Sequence, residues 1–250
     1  MVWGIGNMTS SRIFCPIWAF EGEPEPGKEG WRERLKAYYL EQTPEERKLL
    51  YDYASDGVAG AAHFYPGYVA SKFWTEIGAC SGGGESNPPV TPIKDHEPPR
   101  FLQTFVGKGQ LGAFMGAGIY LVNEALKTII ERLEPEVHQF FPIEIRTPHN
   151  KIKIYPEPYY IIVISQYLDS FSAEKSDKES WSYNGLDEYF HKETNAGIAG
   201  LALSKAKFGN AHLWKERGMS FRLICLSNEL QAEIAEAGLR FPKHYKMKEV

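Results

Sequence analysis

Gly118-Ile119-Tyr120-Leu121-Val122-Asn123-Glu124 begins the stretch that decides the fold, and Phe221-Arg222-Leu223-Ile224-Cys225-Leu226-Ser227-Asn228-Glu229 repeats its logic further along the chain. Each is an apolar strand, then a polar residue fit to cap a helix, then an acid that suits the positive helix end. In the first case the helical face is Leu126, Ile129, Ile130 and Leu133, ending at Glu134-Pro135; in the second it is Leu230, Ile234 and Ala237, ending at Gly238. The repetition predicts two related structural units within one α+β layer. Between them the pattern predicts strands over His138–Ile145, Lys151–Tyr155, Tyr159–Ile164 and Ala211–Glu216, with Pro142 at an edge or a bulge. Strands in series without intervening helices predict an antiparallel sheet flanked by helices.

Working outward, Cys80 to Pro99 holds three consecutive glycines followed by Asn87-Pro88-Pro89, Pro92 and Pro98-Pro99, which cannot sustain a helix or an interior strand. A boundary is expected there, dividing a helical and irregular N-terminal unit (1–94) from an α+β domain (95–250). Within the first unit Thr43-Pro44-Glu45-Glu46 is a capping box with proline at the first helical position. The helix it starts should present Leu49, Leu50, Tyr53 and Ala54 on one face and stop at Asp56-Gly57, and Trp31–Leu40 should also be helical. The aromatic stretch from Gly57 to Gly78 has no clean period.

With 250 residues, 43% of them apolar, the chain can build a substantial core and does not have a disordered composition. A formal charge of −4 argues against a nucleic-acid binder. Three scattered cysteines, Cys15, Cys80 and Cys225, make no disulfide framework and favour a reducing cytoplasm. Met1 to Phe20 lacks the features of a signal peptide, and the apolar run Tyr159–Ile164 is too short for a membrane span.

Charge is uneven. From Ser165 to Asn195 seven acids (Asp169, Glu174, Asp177, Glu179, Asp187, Glu188, Glu193) face three lysines, so this segment carries the whole formal net charge. Trp181, Tyr183, Tyr189 and Phe190 are interleaved with it. Such a stretch is either a solvated loop or a partner-facing acidic patch.

Four quoted runs carry a resemblance: Val122-Asn123-Glu124; Glu134-Pro135-Glu136-Val137-His138-Gln139-Phe140-Phe141-Pro142-Ile143; Gly209-Asn210-Ala211-His212-Leu213-Trp214-Lys215; and Leu226-Ser227-Asn228-Glu229-Leu230 with Gly238-Leu239-Arg240-Phe241. Over about residues 95–242 the chain resembles immunity proteins of bacterial polymorphic-toxin and contact-dependent competition systems, the family numbered eleven among them. Lys215 stands where that family's pattern is arginine-like. The resemblance implies a non-enzymatic protein, made beside a toxin, that binds it and blocks its active site or folding. It implies no cofactor, no metal and no catalytic residue, and a buried interface of about 1,200–2,000 Å². Many such toxins are nucleases with basic clefts, which an acidic patch could match. The expected partner-binding residues are therefore Asp169, Glu174, Asp177, Glu179, Trp181, Tyr183, Asp187 and Glu188, while self-association is left open.

Other motifs weigh less. Gly107-Lys-Gly-Gln-Leu-Gly112 fits a dinucleotide fingerprint but is followed by more glycine instead of a helix, so it reads as a turn. Gly78-Ala79-Cys80-Ser81-Gly82 fits a nucleophile elbow, making a thiol hydrolase with His63 or His96 as base the main alternative; a scaffold or dimerisation module is the other. Asp95-His96-Glu97 is dense in ligand types but lies among prolines and reads as solvated. His212 and His138 read as hydrogen-bonded structural histidines.

Overall fold

A computed structural model describes residues 1–6, 18–20, 30–51, 57–73, 92–104, 111–117, 119–146, 158–183, 185, 189–192, 194–219 and 223–250. Two six-stranded sheets form its frame. The first has the order β11 (Ala202–Leu203), β14 (His244–Glu249), β1 (Val2–Ile5), β13 (Ile224–Ser227), β12 (Leu213–Glu216), β8 (Tyr167–Leu168). The second runs β2 (Trp18–Phe20), β3 (Phe101–Thr104), β6 (Gln139–Arg146), β7 (Tyr159–Val163), β5 (Ile119–Asn123), β4 (Phe114–Ala117). A separate ribbon pairs β9 (Trp181–Tyr183) with β10 (Tyr189–His191).

The expected α+β architecture of antiparallel pairings flanked by helices is present. It is spread over two sheets, each also containing parallel neighbours: β3 with β6, β11 with β14, and β12 with β8. The repeated strand–helix unit falls one copy in each sheet, as β5 leading into α4 (Glu124–Leu133) and β13 leading into α7 (Asn228–Glu236). Asn123 and Ser227 cap the two helices, accepting from the backbone N–H of Leu126 and Leu230. The helices pack together, and Arg132 of α4 pairs with Glu233 of α7.

Strand period two explains the layering. Tyr120 and Val122 of β5 face a central core shared with Leu213, Ile224 and Leu226 of the first sheet and with Leu126, Ile130, Leu230 and Ile234 of α4 and α7. Ile119 and Leu121 point the other way, into a core with Tyr65, Val69 and Phe73. On the far face of the first sheet, Val2, Trp214, Cys225 and Met247 pack with Ile198, Leu203 and Phe208. Both sheets are thus covered on both faces, which is why inner strands such as β5, β7 and β13 read as nearly continuous apolar runs.

Pro142 occurs within β6, yet β3 pairs only with Glu144–Arg146, so the side of Pro142 away from β7 carries no ladder partner among the described strands. The Lys151–Tyr155 expectation lies outside the described residues. In the N-terminal part α1 spans Trp31–Glu41, α2 Pro44–Leu50 and α3 Gly57–Phe73. The capping box is complete, with Glu46 N–H donating to Thr43 and Thr43 N–H to Glu46. The predicted face of α2 is corrected at Leu49, which is 81% exposed, whereas Leu50 reaches the core; α2 ends at Leu50, and Tyr53 and Ala54 lie outside the described residues. The aperiodic stretch beginning at Gly57 is an α-helix that buries one face, Ala61, Ala62, Tyr65, Pro66, Val69, Ala70 and Phe73, while its outer face also carries apolar or small residues such as Val58, Ala59, Phe64 and Gly67, which erases the amphipathic signal.

The first six residues supply an inner strand of the first sheet: β1 pairs antiparallel with both β13 and β14. A Cβ added at Gly4 would lie 2.7 Å from Cγ2 of Ile198 and 2.9 Å from Sδ of Met247. Overpacking predicts that Gly4→Val destabilises the fold by about 1–3 kcal/mol, read as a lower urea midpoint. An unchanged midpoint would show that β1 is not held between its neighbours.

Candidate functional site

The quoted runs converge on one carboxylate. Glu134 follows the last turn of α4, and its side chain is buried. Its Oε2 accepts from His138 Nε2 at 2.8 Å and from the backbone N–H of Leu213 at 3.0 Å. Its Oε1 accepts from the backbone N–H of His212 at 2.6 Å and from Gln166 Nε2 at 2.5 Å. His138 Nδ1 accepts from the Ser165 N–H at 3.2 Å, which places the imidazole proton on Nε2, facing Glu134. Burial acts to raise the Glu134 pKa, but the hydrogen bonds from His138, the His212 amide and Gln166 outweigh it, so the group is held below the usual carboxylate range. One ionised side chain therefore links the end of α4, the start of β6, the β7–β8 connection and the start of β12.

His212 is fixed at both ends. Its backbone hangs on Glu134, and its Nδ1 lies 2.9 Å from Oγ of Ser227, which also accepts the Leu230 N–H as the α7 cap. Glu229 approaches the same Nδ1 at 3.9 Å. A catalytic relay needs hydroxyl and carboxylate on opposite ring nitrogens, so this trio does not form one. Beside it opens a cleft of about 670 Å³ lined by Lys205, Asn210, His212, Asn228, Glu229 and Glu249 among others.

The expected partner-binding residues divide into three groups. Asp177 pairs with Lys248 at 2.6 Å and Asp169 with Arg217 at 3.5 Å, so two acids already have cations. Glu174, Glu179 and Tyr183 are exposed. Trp181 is half-buried in a ring cluster with Phe171 and Tyr189, at centroid distances of 6.0 and 5.3 Å. Asp187 and Glu188 lie outside the described residues.

Other candidates resolve differently. Cys80 lies outside the described residues, and His63 is exposed on α3. Cys225 is fully buried, its thiol pushed well up by burial and then by the charge of Glu216. The solvated reading of Asp95-His96-Glu97 holds for Asp95, which is exposed, and is corrected for the other two: Glu97 is 1% exposed and ion-paired with Lys72, and His96 stacks on Tyr38 at 3.7 Å and bonds the Tyr65 hydroxyl at 2.7 Å. A turn closed by the Glu97 N–H on the Lys94 carbonyl lays this segment against α1 and α3, where Trp31 and Arg34 donate to the Glu97 and His96 carbonyls. Among the described residues no group of three or more histidines, cysteines or acids could hold a metal. No described helix is long and apolar enough to cross a membrane.

Sequence reasoning missed Glu134. Its signal was an acid at a helix C-terminus, where the macrodipole disfavours negative charge unless donors are supplied from elsewhere. Removing the carboxylate in Glu134→Ala leaves its donors unsatisfied and should cost roughly 3 kcal/mol or more in denaturant unfolding. Because the folded pKa is depressed, the wild-type stabilisation is complete above the unfolded carboxylate value and is lost as pH falls through the lower folded value. A variant within about 0.5 kcal/mol of wild type at neutral pH would remove Glu134 from this role.

The sequence model described as Immunity protein family (Imm11) matches residues 95–249, more than half of the chain. No curated protein matches it.

Proposed function

Because this chain belongs to the Imm11 immunity protein family, we propose that it neutralises its cognate toxin by lying across the toxin's active site. Family membership implies neutralisation and a non-enzymatic role; the occlusion, the contact surface and the cytoplasmic setting are the further steps of this reading. The family match is the observation that carries it. Residues 95–250 are assigned the toxin-facing role, with residues 1–94 supplying β1 and the helices that back the second sheet.

The contact surface is the acidic, aromatic segment around the β9–β10 ribbon. Glu174 and Glu179 are exposed, and neither forms an ion pair among the described residues, so they can steer a basic cleft during approach. Tyr183 is 48% exposed and stands 5.1 Å from Tyr189 in the ribbon's ring cluster, a rigid aromatic able to bury area at low entropic cost. Asp169 and Asp177, tied to Arg217 and Lys248, would contribute less unless those pairs part on binding. A toxin with a basic substrate groove suits this surface.

Co-expression with the toxin module encoded directly beside this chain should give survival and a co-purifying complex. In that complex the double reversal Glu174→Lys/Glu179→Lys should slow association several-fold at low salt and have little effect at high salt. An unchanged on-rate at both ionic strengths would remove the acidic segment from the interface. Failure to protect or to co-purify would overturn the neutralising pair itself.

A further inference from the structure

We infer that the cleft beside the α7 N-terminus is a second, anchoring contact that takes a polar peptide segment of the toxin; this rests on the neutralising role proposed above. The cleft is separate from the acidic ribbon in sequence and in construction. Its volume of about 670 Å³ falls within the roughly 300–1,000 Å³ of pockets that hold small ligands or short peptide pieces.

The lining residues divide by what the fold requires of them. Ser227 caps α7, Phe208 stacks on the core ring of Trp214 at 5.0 Å, Lys205 Nζ donates to the Gly209 carbonyl at 2.5 Å, and Glu249 pairs with the Met1 ammonium at 2.5 Å. Asn210, by contrast, is exposed and makes no side-chain hydrogen bond among the described residues. Glu229 is 64% exposed and reaches only the edge of His212, at 3.9 Å. Asn228 accepts one long bond from Trp3 Nε1 at 3.5 Å, which leaves its amide donors unused among the described residues. Asn210, Glu229 and the amide donors of Asn228 are thus the lining groups that the fold uses least.

Their chemistry selects the occupant. Two carboxamides offer donor and acceptor together, as a peptide bond does, and Glu229 adds an exposed acid at the rim, while Lys205 and Glu249 are already engaged by the Gly209 carbonyl and the Met1 ammonium. An apolar helix would strand these groups without partners, whereas a loop bearing backbone amides and polar side chains can satisfy them. The floor is also pre-organised: His212 is held through its backbone by Glu134 and through its ring by Ser227, so little side-chain freedom remains to be lost on binding. The ribbon acts on encounter, and the cleft acts on retention.

The test uses the full chain and the toxin recovered from the co-expression complex. Asn210→Trp fills the opening, and Glu229→Lys reverses charge on its rim; both positions are exposed, and unchanged thermal melting checks the fold. Each variant should weaken binding by roughly tenfold or more, Asn210→Trp mainly through faster dissociation. Hydrogen exchange on the wild-type complex should show protection over residues 205–212 and 226–230. Affinity within about twofold of wild type for both folded variants, or protection confined to the ribbon, would overturn the cleft while leaving neutralisation intact. Absence of any wild-type complex would overturn both.

Discussion

A single buried carboxylate organises this molecule. Taking a charge out of water is costly, and Glu134 is tolerated only because His138, Gln166 and two backbone amides converge on it. Those donors come from segments far apart in the chain and from both sheets. Satisfying the charge therefore requires the sheets to meet in one register, and the same requirement places His212 at the floor of the cleft.

A second buried glutamate behaves in the opposite sense. Glu216 is wholly buried, and its pKa is raised because burial outweighs the bonds it accepts from the Ser170 hydroxyl, the Phe171 N–H and Trp214 Nε1. Next to it in β12, Lys215 is also fully buried, its ammonium over the rings of Tyr120 and Tyr167 at 4.9 and 5.4 Å. Consecutive residues of one strand thus send opposite charges into different layers. Lys215 bears on ring faces, a contact that does not need a planar fork of donors. With Glu134 at its start and Glu216 at its end, β12 is fixed along its whole length, which suits a strand beside a binding cleft.

Much of this was legible beforehand. Apolar runs with polar caps located β5–α4 and β13–α7, and the Thr43 capping box located α2, because each signal is local. The packing of those two strands into different sheets was not legible, since strand pairing is set by long-range contacts. Residues 1–6 gave no hint of an inner strand: β1 is short, and its neighbours lie at the other end of the chain. The helix from Gly57 was hidden because its outer face, with Val58, Ala59 and Phe64, is nearly as apolar as its buried one, and Glu97 by prolines that suggested solvent. At the candidate site the runs were visible but their meeting point was not, because Glu134 works through backbone amides, which no side-chain pattern reports.

On the function proposed above, the chain acts by standing against another protein in fixed proportion. The most direct measurement is a titration of toxin activity with increasing amounts of this chain, followed by dissociation of the complex and mass measurement of the recovered toxin. Inhibition should saturate at a fixed molar ratio, and the freed toxin should be active again with its mass unchanged. Progressive silencing by substoichiometric amounts of the chain, or a recovered toxin of altered mass, would contradict it.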